Sequence, residues 1–533
     1  MAVAKPRTLS DGPETIGRLG GRLGRGSAWR HRLPALSRVD GWLLGAIGVL
    51  ALAALSLALR SDATVFLKPF SEDGYYSLAV ARSMAAGHGM TIDGVTRTNG
   101  IQPLLTIIQA GLFWLARGND LLALRLVLIL YWLLYLGTGA LLGWIAAMAL
   151  PDPEGRATRA LTTALVYLGA SYLFLHHFNG LETGLLLFLL AAAWRYQQAG
   201  AAESWPGLAL FGALLGLAVL ARIDASFLVV CLAGLELWRW RRRSPGRGLA
   251  RAALLGAMAL LVSGPWWAYN ILVFGSPMPI SGTATQSWAI DGFRFGWFLW
   301  GLAMGAFPWL FGGEAEGMLL NVIRLPLYAG GLWLLWRVYR RLPAETRDFA
   351  LALGAAVILL GVYYWLSSIA YWFYSRYLTP AALPAALGLG LAASELLRRR
   401  PRALAWLAPL LLVPVITLAV LAWSGKGIYG TIMFWDQVLL VRDSVPASET
   451  VAAGQSGTLN FFRPDVVNMD GKVNPEVFAY RGHLWDYLAR RDIHWFVDWP
   501  NYVQRVLGDD PSAHGWKLVG RRANFMLYHR EGP

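Results

Sequence analysis

The sequence predicts an α-helical polytopic membrane protein with a small α/β domain at its C-terminal end. Of its 533 residues, 56% are hydrophobic and only 15% are charged, and the mean hydropathy is +0.45. Ordinary soluble domains carry roughly 25% charged residues, so this much apolar surface requires lipid as its solvent. Apolar stretches recur from Gly41 to Trp423, and from Ser424 onward the composition becomes that of a soluble domain.

The first forty residues form a basic segment, which we expect to be a disordered cytoplasmic tail, residues 1–40. Further basic residues lie in short loops beside predicted helix ends, in the runs Arg239–Arg247, Arg337–Arg347 and Arg398–Arg402. Cytoplasmic loops of membrane proteins carry such an excess of lysine and arginine. The net charge of +15 therefore argues for a cytoplasmic N-terminus and against nucleic acid as a partner.

A bilayer core about 30 Å thick needs roughly 20 apolar residues per helix, and the predicted membrane domain, residues 41–423, holds many such runs. The first span covers Trp42 to Leu59 and is followed by an outer loop, residues 60–100. The later spans are 121–150, 159–176, 181–197, 205–221, 224–240, 250–272, 318–336, 349–366, 378–397 and 403–423. The apolar runs 101–117 and 295–312 are expected to be short or re-entrant, which gives about eleven crossings, or thirteen if both cross. Either number is odd, so the C-terminus is predicted to lie outside.

The last part of the chain, residues 424–533, reads as an extracytoplasmic α/β domain. Strand patterns occur at Thr450–Ala453, Val466–Met469, His494–Asp498 and Phe525–His529, and a helix pattern at His483–Arg491. No glycine fingerprint follows a strand, so a complete nucleotide-binding fold is not expected. The chain has one cysteine, which excludes an internal disulfide or a thiolate metal site.

Acidic residues occur at the starts of two predicted helices on the outer face. Glu72 and Asp73 begin a helical pattern in the first outer loop, and Glu182 follows Asn179 at the start of a span. Capping explains all three, because anions gain about 0.3–1 kcal/mol near a helix N-terminus. The alternative is a functional site, since carboxylates at membrane helix ends are commonly functional.

Arginines lie in two other predicted outer loops. Arg222 and Asp224 form a tight turn between spans, and Arg376 and Tyr377 follow an aromatic run. An interfacial belt with a snorkelling arginine explains these residues, but a guanidinium also binds phosphate through paired hydrogen bonds. Acids and arginines far apart in sequence thus map to one membrane face. Such a rim suits transfer from a phosphorylated lipid, which needs a base and cations for the leaving phosphate.

Other polar residues are more ambiguous on sequence alone. His176 and His177 read as interfacial side chains, because no metal-ligand spacing accompanies them. Asp470 and Gly471 read as a turn, after which Lys472 can reach a substrate.

At these residues the chain resembles the GT-C superfamily of polytopic glycosyltransferases, which take a sugar from a polyprenyl-phosphate donor. The pattern Glu72-Asp73-Gly74, followed by Arg82–Gly89 and Thr98-Asn99-Gly100, looks like the paired-acid loop of mycobacterial arabinofuranosyltransferases and related uncharacterised members. The segments Gly180–Thr183, Arg222–Asp224 and Asn468–Gly471 are also similar to segments of that group. The motifs are short, so the resemblance concerns the superfamily more than any one sugar.

The resemblance implies a membrane glycosyltransferase with an inverting mechanism. Asp73 would be the catalytic base, and Glu72 would orient it or help to hold a divalent cation such as Mg²⁺, Mn²⁺ or Ca²⁺. Glu72 stands where the arabinofuranosyltransferase pattern has an aspartate, so either acid can be the base. The donor phosphate would be bound by Arg376, Arg222 and Tyr377, and the sugar or acceptor by Glu182, Asp224, Asn99, His177, Asp470 and Lys472.

The expected partners are the bilayer, a polyprenyl-phosphate-linked sugar and a glycan, lipid or protein acceptor in the cell envelope. The resemblance implies cell wall biosynthesis at the inner membrane. A transporter of an anionic or lipid-linked substrate is the first alternative, although transporters usually place ionisable groups near the bilayer midplane. A non-catalytic envelope-assembly protein is the second alternative.

Overall fold

A computed structural model describes residues 36–310, 318–426 and 433–531. The first 35 residues of the basic tail lie outside the described residues. The described chain starts just before the first helix, where the Ser37 hydroxyl accepts a hydrogen bond from the Asp40 backbone N–H and the Asp40 carboxylate accepts one from the Ser37 N–H. This capping box explains why the first helix begins at Arg38.

The described residues up to 426 are helical for most of their length. The helices are α1 Arg38–Ser56, α2 Asp62–Leu67, α3 Glu72–Ala85, α4 Pro103–Leu115, α5 Asp120–Met148, α6 Arg156–Leu168, α7 Ser171–Phe178, α8 Thr183–Gln198, α9 Trp205–Ala221, α10 Ser226–Trp240, α11 Pro245–Phe274, α12 Ile280–Ala284, α13 Gly292–Ala306, α14 Met318–Tyr339, α15 Ala344–Ser367, α16 Tyr374–Tyr377, α17 Ala382–Arg399 and α18 Leu404–Trp423.

The molecule is a multi-pass membrane protein. Six described helical segments are long and apolar enough to cross a bilayer, or seven if the bent pair α7 and α8 forms one span. Large apolar side chains such as Leu272 are exposed on the outside of the bundle, and only lipid makes such exposure favourable. The two ambiguous runs are short helices, α4 with 13 residues and α13 with 15, fewer than the roughly 20 that a full crossing needs. The number of about eleven crossings stays a prediction.

Small residues allow neighbouring helices in the bundle to approach closely. Helix α9 packs on α11 through Gly212 and Gly216, one turn apart, where an added Cβ would lie 2.7 Å from the carbonyl oxygens of Leu255 and Ala259. Without a hydrophobic driving force in lipid, such close backbone contact is a main source of helix association.

Four helices connect the two ends of the bundle. Helices α10 and α17 begin beside the loops that contain Asp224 and Arg376 and end in basic loops, while α11 and α15 run in the opposite direction. At the basic end, a buried Arg251–Glu236 ion pair of 2.6 Å joins α10 to α11. The acids and arginines singled out by sequence therefore lie at the end of the bundle opposite to the basic loops.

The C-terminal region contains a five-stranded mixed sheet with the order β2-β1-β3-β5-β4. Its elements are α19 Met433–Ser444, β1 Val451–Ala453, α20 Gly457–Phe462, β2 Val466–Asn468, α21 Leu484–Arg490, β3 Trp495–Asp498, α22 Pro500–Leu507, β4 Trp516–Arg522 and β5 Phe525–Arg530. Strands β1, β2 and β3 are parallel, and β5 is antiparallel to both β3 and β4. The four predicted strands and the predicted helix are present, each within about two residues of its expected bounds. Strand β4 was not predicted, because it is mostly exposed and lacks an apolar pattern.

The sheet region packs directly on α3. Helix α20 lies against α3, where Phe461 contacts Tyr75 with ring centroids 5.1 Å apart. The Arg82 guanidinium of α3 donates a 2.6 Å hydrogen bond to the Phe461 carbonyl oxygen. These contacts hold the helical bundle and the sheet in one compact unit.

Candidate functional site

Two loops that are about a hundred residues apart in sequence meet at the start of α3. The Ser71 backbone N–H donates a 2.8 Å hydrogen bond to the Asn179 carbonyl oxygen, and the Ser71 hydroxyl donates a second one of 2.9 Å. A Cβ at Gly74 would lie 2.3 Å from that same oxygen, so only glycine allows this approach. Gly180 has φ +92°, which also favours glycine. The Glu72-Asp73-Gly74 motif and the Asn179–Glu182 motif thus form one structure.

The Asp73 carboxylate lies between two cations that come from distant parts of the chain. Its Oδ2 is 3.6 Å from an Arg376 guanidinium nitrogen, and its Oδ1 is 3.4 Å from the Lys472 ammonium nitrogen. Burial favours the neutral acid, but the Lys472 and Arg376 charges outweigh it and hold the pKa of Asp73 below its usual value. Asp73 is therefore a partly exposed, ionised carboxylate.

The neighbouring Glu72 has a different environment. Its carboxylate accepts hydrogen bonds from the backbone N–H groups of Gly457 and Thr458 and from the Thr458 hydroxyl. These groups lie at the N-terminus of α20, so Glu72 caps that helix and fastens α3 to the sheet region. Burial raises the pKa of the Glu72 carboxyl to about 7, although the hydrogen bonds from Thr458 and Gly457 oppose the rise. Both carboxylate oxygens of Glu72 are thus engaged in holding the fold together.

Arg222 is the centre of a buried charge cluster. Its guanidinium contacts the Asp224 carboxylate and lies 3.6 Å from the Glu182 carboxylate, and its side chain is 3% exposed. The Tyr364 hydroxyl donates a 3.2 Å hydrogen bond to Asp224. One guanidinium nitrogen of Arg222, Nη1, has no hydrogen-bond partner among the described residues. A buried N–H donor of this kind is costly unless a ligand satisfies it.

Arg376 and Tyr377 connect this cluster to Asp73. The Arg376 guanidinium stacks over the rings of Phe373 and Tyr377, at 4.8 Å and 5.1 Å from their centroids. Arg222 lies over the same Tyr377 ring at 4.9 Å. The Arg376 Nε also lacks a partner within the part of the chain that the structure describes. The two arginines therefore stack on the same Tyr377 ring, and each has a nitrogen donor without a partner among the described residues.

The turn after β2 brings Lys472 to Asp73. The Asp470 carboxylate accepts a 2.8 Å hydrogen bond from the Lys472 backbone N–H and lies 3.5 Å from its ammonium nitrogen. Burial lowers the pKa of Lys472, but Asp73 and Asp470 raise it above its ordinary value. A Cβ at Gly100 would lie 1.8 Å from the Lys472 carbonyl oxygen, so glycine is required where the Thr98–Gly100 motif meets this turn.

Two of the candidate residues lie away from the cluster. The Asn99 side chain is fully buried and joins its loop to α11 and α12, because its amide donates to Asn270 and its oxygen accepts from the Ile280 N–H. His177 is also fully buried and lies 2.8 Å from the Tyr167 hydroxyl. Neither residue lines a cavity at the site, whereas the adjacent His176 lines the cavity that also contains Glu72 and Asp470.

Two cavities meet at Asp73, Arg376 and Lys472, which line both. The first, of about 380 Å³, lies within the helical bundle and contains Glu182, Arg222, Asp224 and Tyr377. The second, of about 520 Å³, lies between the bundle and the sheet and also contains Glu72, His176 and Asp470. The predicted acids and arginines are thus brought together, as their placement on one membrane face implied.

Several cavity residues were not found from the sequence. Tyr364 stacks on Tyr377 with ring centroids 4.4 Å apart, and Trp499, Tyr502 and Gln455 line the second cavity. Tyr364 was missed because it lies in an apolar, aromatic run within a predicted membrane span. Trp499 directly follows one predicted strand and Gln455 lies two residues after another, and that position is the signal that could have identified them.

The donor set does not fit a divalent cation at Glu72 and Asp73. Glu72 accepts three hydrogen bonds from α20, and two positive side chains flank Asp73 and repel a cation. Among the described residues, no group of three or more His, Cys, Asp or Glu side chains is placed to hold a metal ion.

No family model matches the sequence, and no curated protein sequence matches it. The structure is similar to ArnT from Cupriavidus metallidurans bound to undecaprenyl phosphate, with TM-score 0.55, 15% identity and coverage of 92% of this chain and 98% of that chain. The apo state of the same ArnT gives TM-score 0.54, 14% identity and the same coverage. An oligosaccharyltransferase from Archaeoglobus fulgidus with a tethered acceptor peptide gives TM-score 0.47, 14% identity and coverage of 92% and 74%. The similarity to ArnT over nearly the whole chain shows that this protein has the GT-C fold.

Proposed function

We propose that this protein is a GT-C glycosyltransferase that moves a sugar from a polyprenyl-phosphate donor to an extracytoplasmic acceptor with inversion. The observation that carries the proposal is the position of Asp73. Its carboxylate lies where the two cavities meet and is flanked by Arg376 at 3.6 Å and Lys472 at 3.4 Å. A base and cations at one junction are what displacement of a phosphate by a hydroxyl requires.

The first cavity is proposed to bind the donor. Arg222 and Arg376 each have a buried N–H donor without a partner among the described residues, and phosphate oxygens would satisfy both. Apolar side chains, including Phe227 and Trp267, line the rest of this cavity and suit the lipid chain. The similar fold of ArnT, which was crystallised with undecaprenyl phosphate, supports the same class of donor.

Asp73 is proposed to act as the general base. The acceptor oxygen attacks the anomeric carbon from the side opposite the phosphate, the bond between that carbon and the phosphate oxygen breaks, and the phosphate keeps the electron pair. The proton of the acceptor hydroxyl passes to Asp73, so one displacement gives inversion. In the resting protein Asp73 is paired with Arg376 and Lys472. A bound phosphate competes for these cations, which makes the carboxylate a stronger base when donor is present.

Glu182 and Asp224 are proposed to hold Arg222 in place and to contact the sugar. Both carboxylates lie against the guanidinium. Together with Asp73, Arg376 and Lys472, these three side chains give the first cavity three acidic and three basic side chains, so its charge is balanced before donor binds. Both also line the first cavity, beside the position proposed for the sugar. Glu72 is proposed to hold α3 against the sheet and thereby to position Asp73, rather than to act as the base.

We propose that the site faces the non-cytoplasmic side of the inner membrane. The basic loops lie at the opposite end of the bundle and are expected in the cytoplasm, together with the N-terminal tail. The sheet region then lies outside the cytoplasm, where an acceptor glycan, lipid or protein of the envelope is found. A lipid-linked donor suits this side, because nucleotide sugars are not supplied there.

Transfer by purified protein in lipid nanodiscs tests the proposal. With radiolabelled polyprenyl-phosphate hexoses and pentoses and an envelope extract as acceptor, the wild-type protein should transfer label, and Asp73→Asn should reduce the rate by about 10²–10⁴-fold. Asp93→Asn is the matched control, since Asp93 lies in the same outer loop and accepts hydrogen bonds from the Val95 and Thr96 N–H groups.

Full activity of the Asp73→Asn protein would show that Asp73 is not the base. Uptake of labelled donor into vesicles without transfer would instead support a transporter.

A further inference from the structure

The second cavity lies at the carboxyl ends of the three parallel strands. Gln455 lies two residues after β1, Asp470 two residues after β2, and Trp499 directly after β3, and all three line this cavity. With the order β2-β1-β3, the chain leaves β1 toward one side of the sheet and returns to the other side at β3. A crevice forms where connections diverge in this way, and open α/β sheets bind ligands there.

The phosphate position of such a crevice is already filled. In an open α/β sheet, the N-terminus of the helix that follows the first strand commonly binds an anionic group of a nucleotide. Here that helix is α20, and its N–H groups at Gly457 and Thr458 donate to the Glu72 carboxylate. The chain's own carboxylate therefore occupies this end of the crevice, and the remaining space is open to a polar ligand.

Aromatic rings and polar groups alternate around that remaining space. Trp499 packs between Phe434 and Phe525, with ring centroids 5.5 Å and 6.0 Å away, and its buried indole N–H has no partner among the residues that the structure describes. The Tyr502 hydroxyl accepts a 3.2 Å hydrogen bond from the Gln455 amide. From the bundle side, Trp372 completes the wall.

We propose that this crevice is the acceptor subsite and that the acceptor is a saccharide. A sugar ring presents apolar C–H groups on its faces and hydroxyls around its edge, which match aromatic rings with polar groups beside them. The Trp499 N–H and the Gln455 amide would donate to ring hydroxyls, and the Asp470 carboxylate would accept from one. This inference rests on the proposed function, because it places an acceptor hydroxyl in the cavity that reaches Asp73.

A peptide acceptor fits the same cavity less well. Extended peptides are commonly recognised by pairing with an exposed edge strand. The edges of this sheet are β2 and β4, whereas the cavity is formed by residues that follow the ends of β1, β2 and β3. The crevice thus offers rings and side-chain polar groups rather than a strand to pair with.

Substitutions at Trp499 test the saccharide subsite in the full-length protein in nanodiscs. The probes are methyl glycosides of hexoses and pentoses, used as acceptors with a polyprenyl-phosphate sugar and also as ligands in saturation-transfer difference NMR. Trp499→Ala should raise the KM for the glycoside about tenfold or more. Trp499→Phe, which keeps an aromatic ring but removes the N–H donor and part of the ring surface, should raise it about two- to tenfold. The KM for the donor should not change in either variant.

Trp485→Phe is the matched control, since Trp485 lies in the same region against Trp516 and lines neither cavity. Unchanged glycoside KM and unchanged NMR signals in Trp499→Ala would overturn the subsite while leaving the proposed function intact. Transfer to peptides but to no glycoside would overturn the saccharide class. If the wild-type protein transfers nothing yet binds glycosides through Trp499, the crevice is a saccharide-binding site, and both the proposed function and the acceptor role fail.

Discussion

The Asp73 carboxylate lies 3.4 Å from the Lys472 ammonium nitrogen, although the two residues are 399 positions apart. Asp73 belongs to α3 and Lys472 to the turn after β2. One of the two cations that flank the proposed base therefore comes from the sheet region, and the site is complete only when that region is packed on α3.

Replacement of Lys472 should alter the pH dependence of transfer. Lys472 favours the ionised form of Asp73 and so helps to hold its pKa below the usual value. In Lys472→Met that pKa rises, and the acidic limb of kcat/KM should move to higher pH. Rate profiles between pH 4 and 8 measure the shift. Lys517→Met, at an exposed pair with Glu531, should leave the limb in place. If the acidic limb of Lys472→Met stays at the wild-type pH, Lys472 does not lower the pKa of Asp73.

The contact between Gly100 and the Lys472 turn should be sensitive to a single methyl group. A Cβ at Gly100 would lie 1.8 Å from the Lys472 carbonyl oxygen, so Gly100→Ala must push the turn away. We expect transfer to fall at least tenfold and the protein to lose about 1–3 kcal/mol of stability. Gly111→Ala on α4 is the matched control, because nothing lies within 4 Å of its Cβ and alanine favours a helix. Equal activity of the two variants would contradict the tight contact.

Arg222→Lys should weaken donor binding while it keeps the positive charge. Lysine cannot reproduce the planar fork that contacts Asp224 and Glu182 and still leaves an N–H for a ligand. The loss of a charged hydrogen bond corresponds to about 1.5–3 kcal/mol, so the donor KM should rise about 10- to 100-fold. Arg251→Lys, in the buried pair with Glu236 at the opposite end, should lower thermal stability without changing the donor KM. If Arg222→Lys and Arg251→Lys have a similar donor KM, Arg222 does not bind the donor.

Glu72→Gln should change how stability depends on pH. Because burial raises the folded-state pKa of Glu72 to about 7, above its ordinary value, the protonated acid is favoured in the folded protein. Its contribution is full below the unfolded pKa and is lost as pH rises through about 7, an effect on the order of 3 kcal/mol. Wild-type melting temperature should therefore fall between pH 5 and pH 8.

The Glu72→Gln variant keeps one of the two oxygen acceptors at the start of α20 and does not titrate. Its melting temperature should fall less over the same pH range. A remaining decline is expected from Asp498, whose pKa burial also raises to about 7. Identical pH profiles in thermal melts of both proteins would show that Glu72 ionises normally.

Local patterns in the sequence predicted the fold class and most of the sheet. Hydropathy identifies membrane helices because a segment that crosses the hydrocarbon core must be helical and apolar along most of its length. Short apolar runs separated by turn signals identified strands such as β1 and β3, which are buried in the sheet. Strand β4 escaped because its side chains are mostly exposed, so its pairing with β5 leaves no apolar pattern in the sequence.

The sequence by itself also determined that acids and arginines gather at one end of the bundle, because odd and even spans fix which loops share a membrane face. Only the tertiary structure distinguished adjacent candidates of the same chemistry. Glu72 caps α20 whereas Asp73 meets Arg376, and His177 is enclosed in the core whereas His176 lines a cavity. Neighbouring side chains on a helix point in directions about 100° apart, so each one's surroundings depend on which distant segment packs on that side.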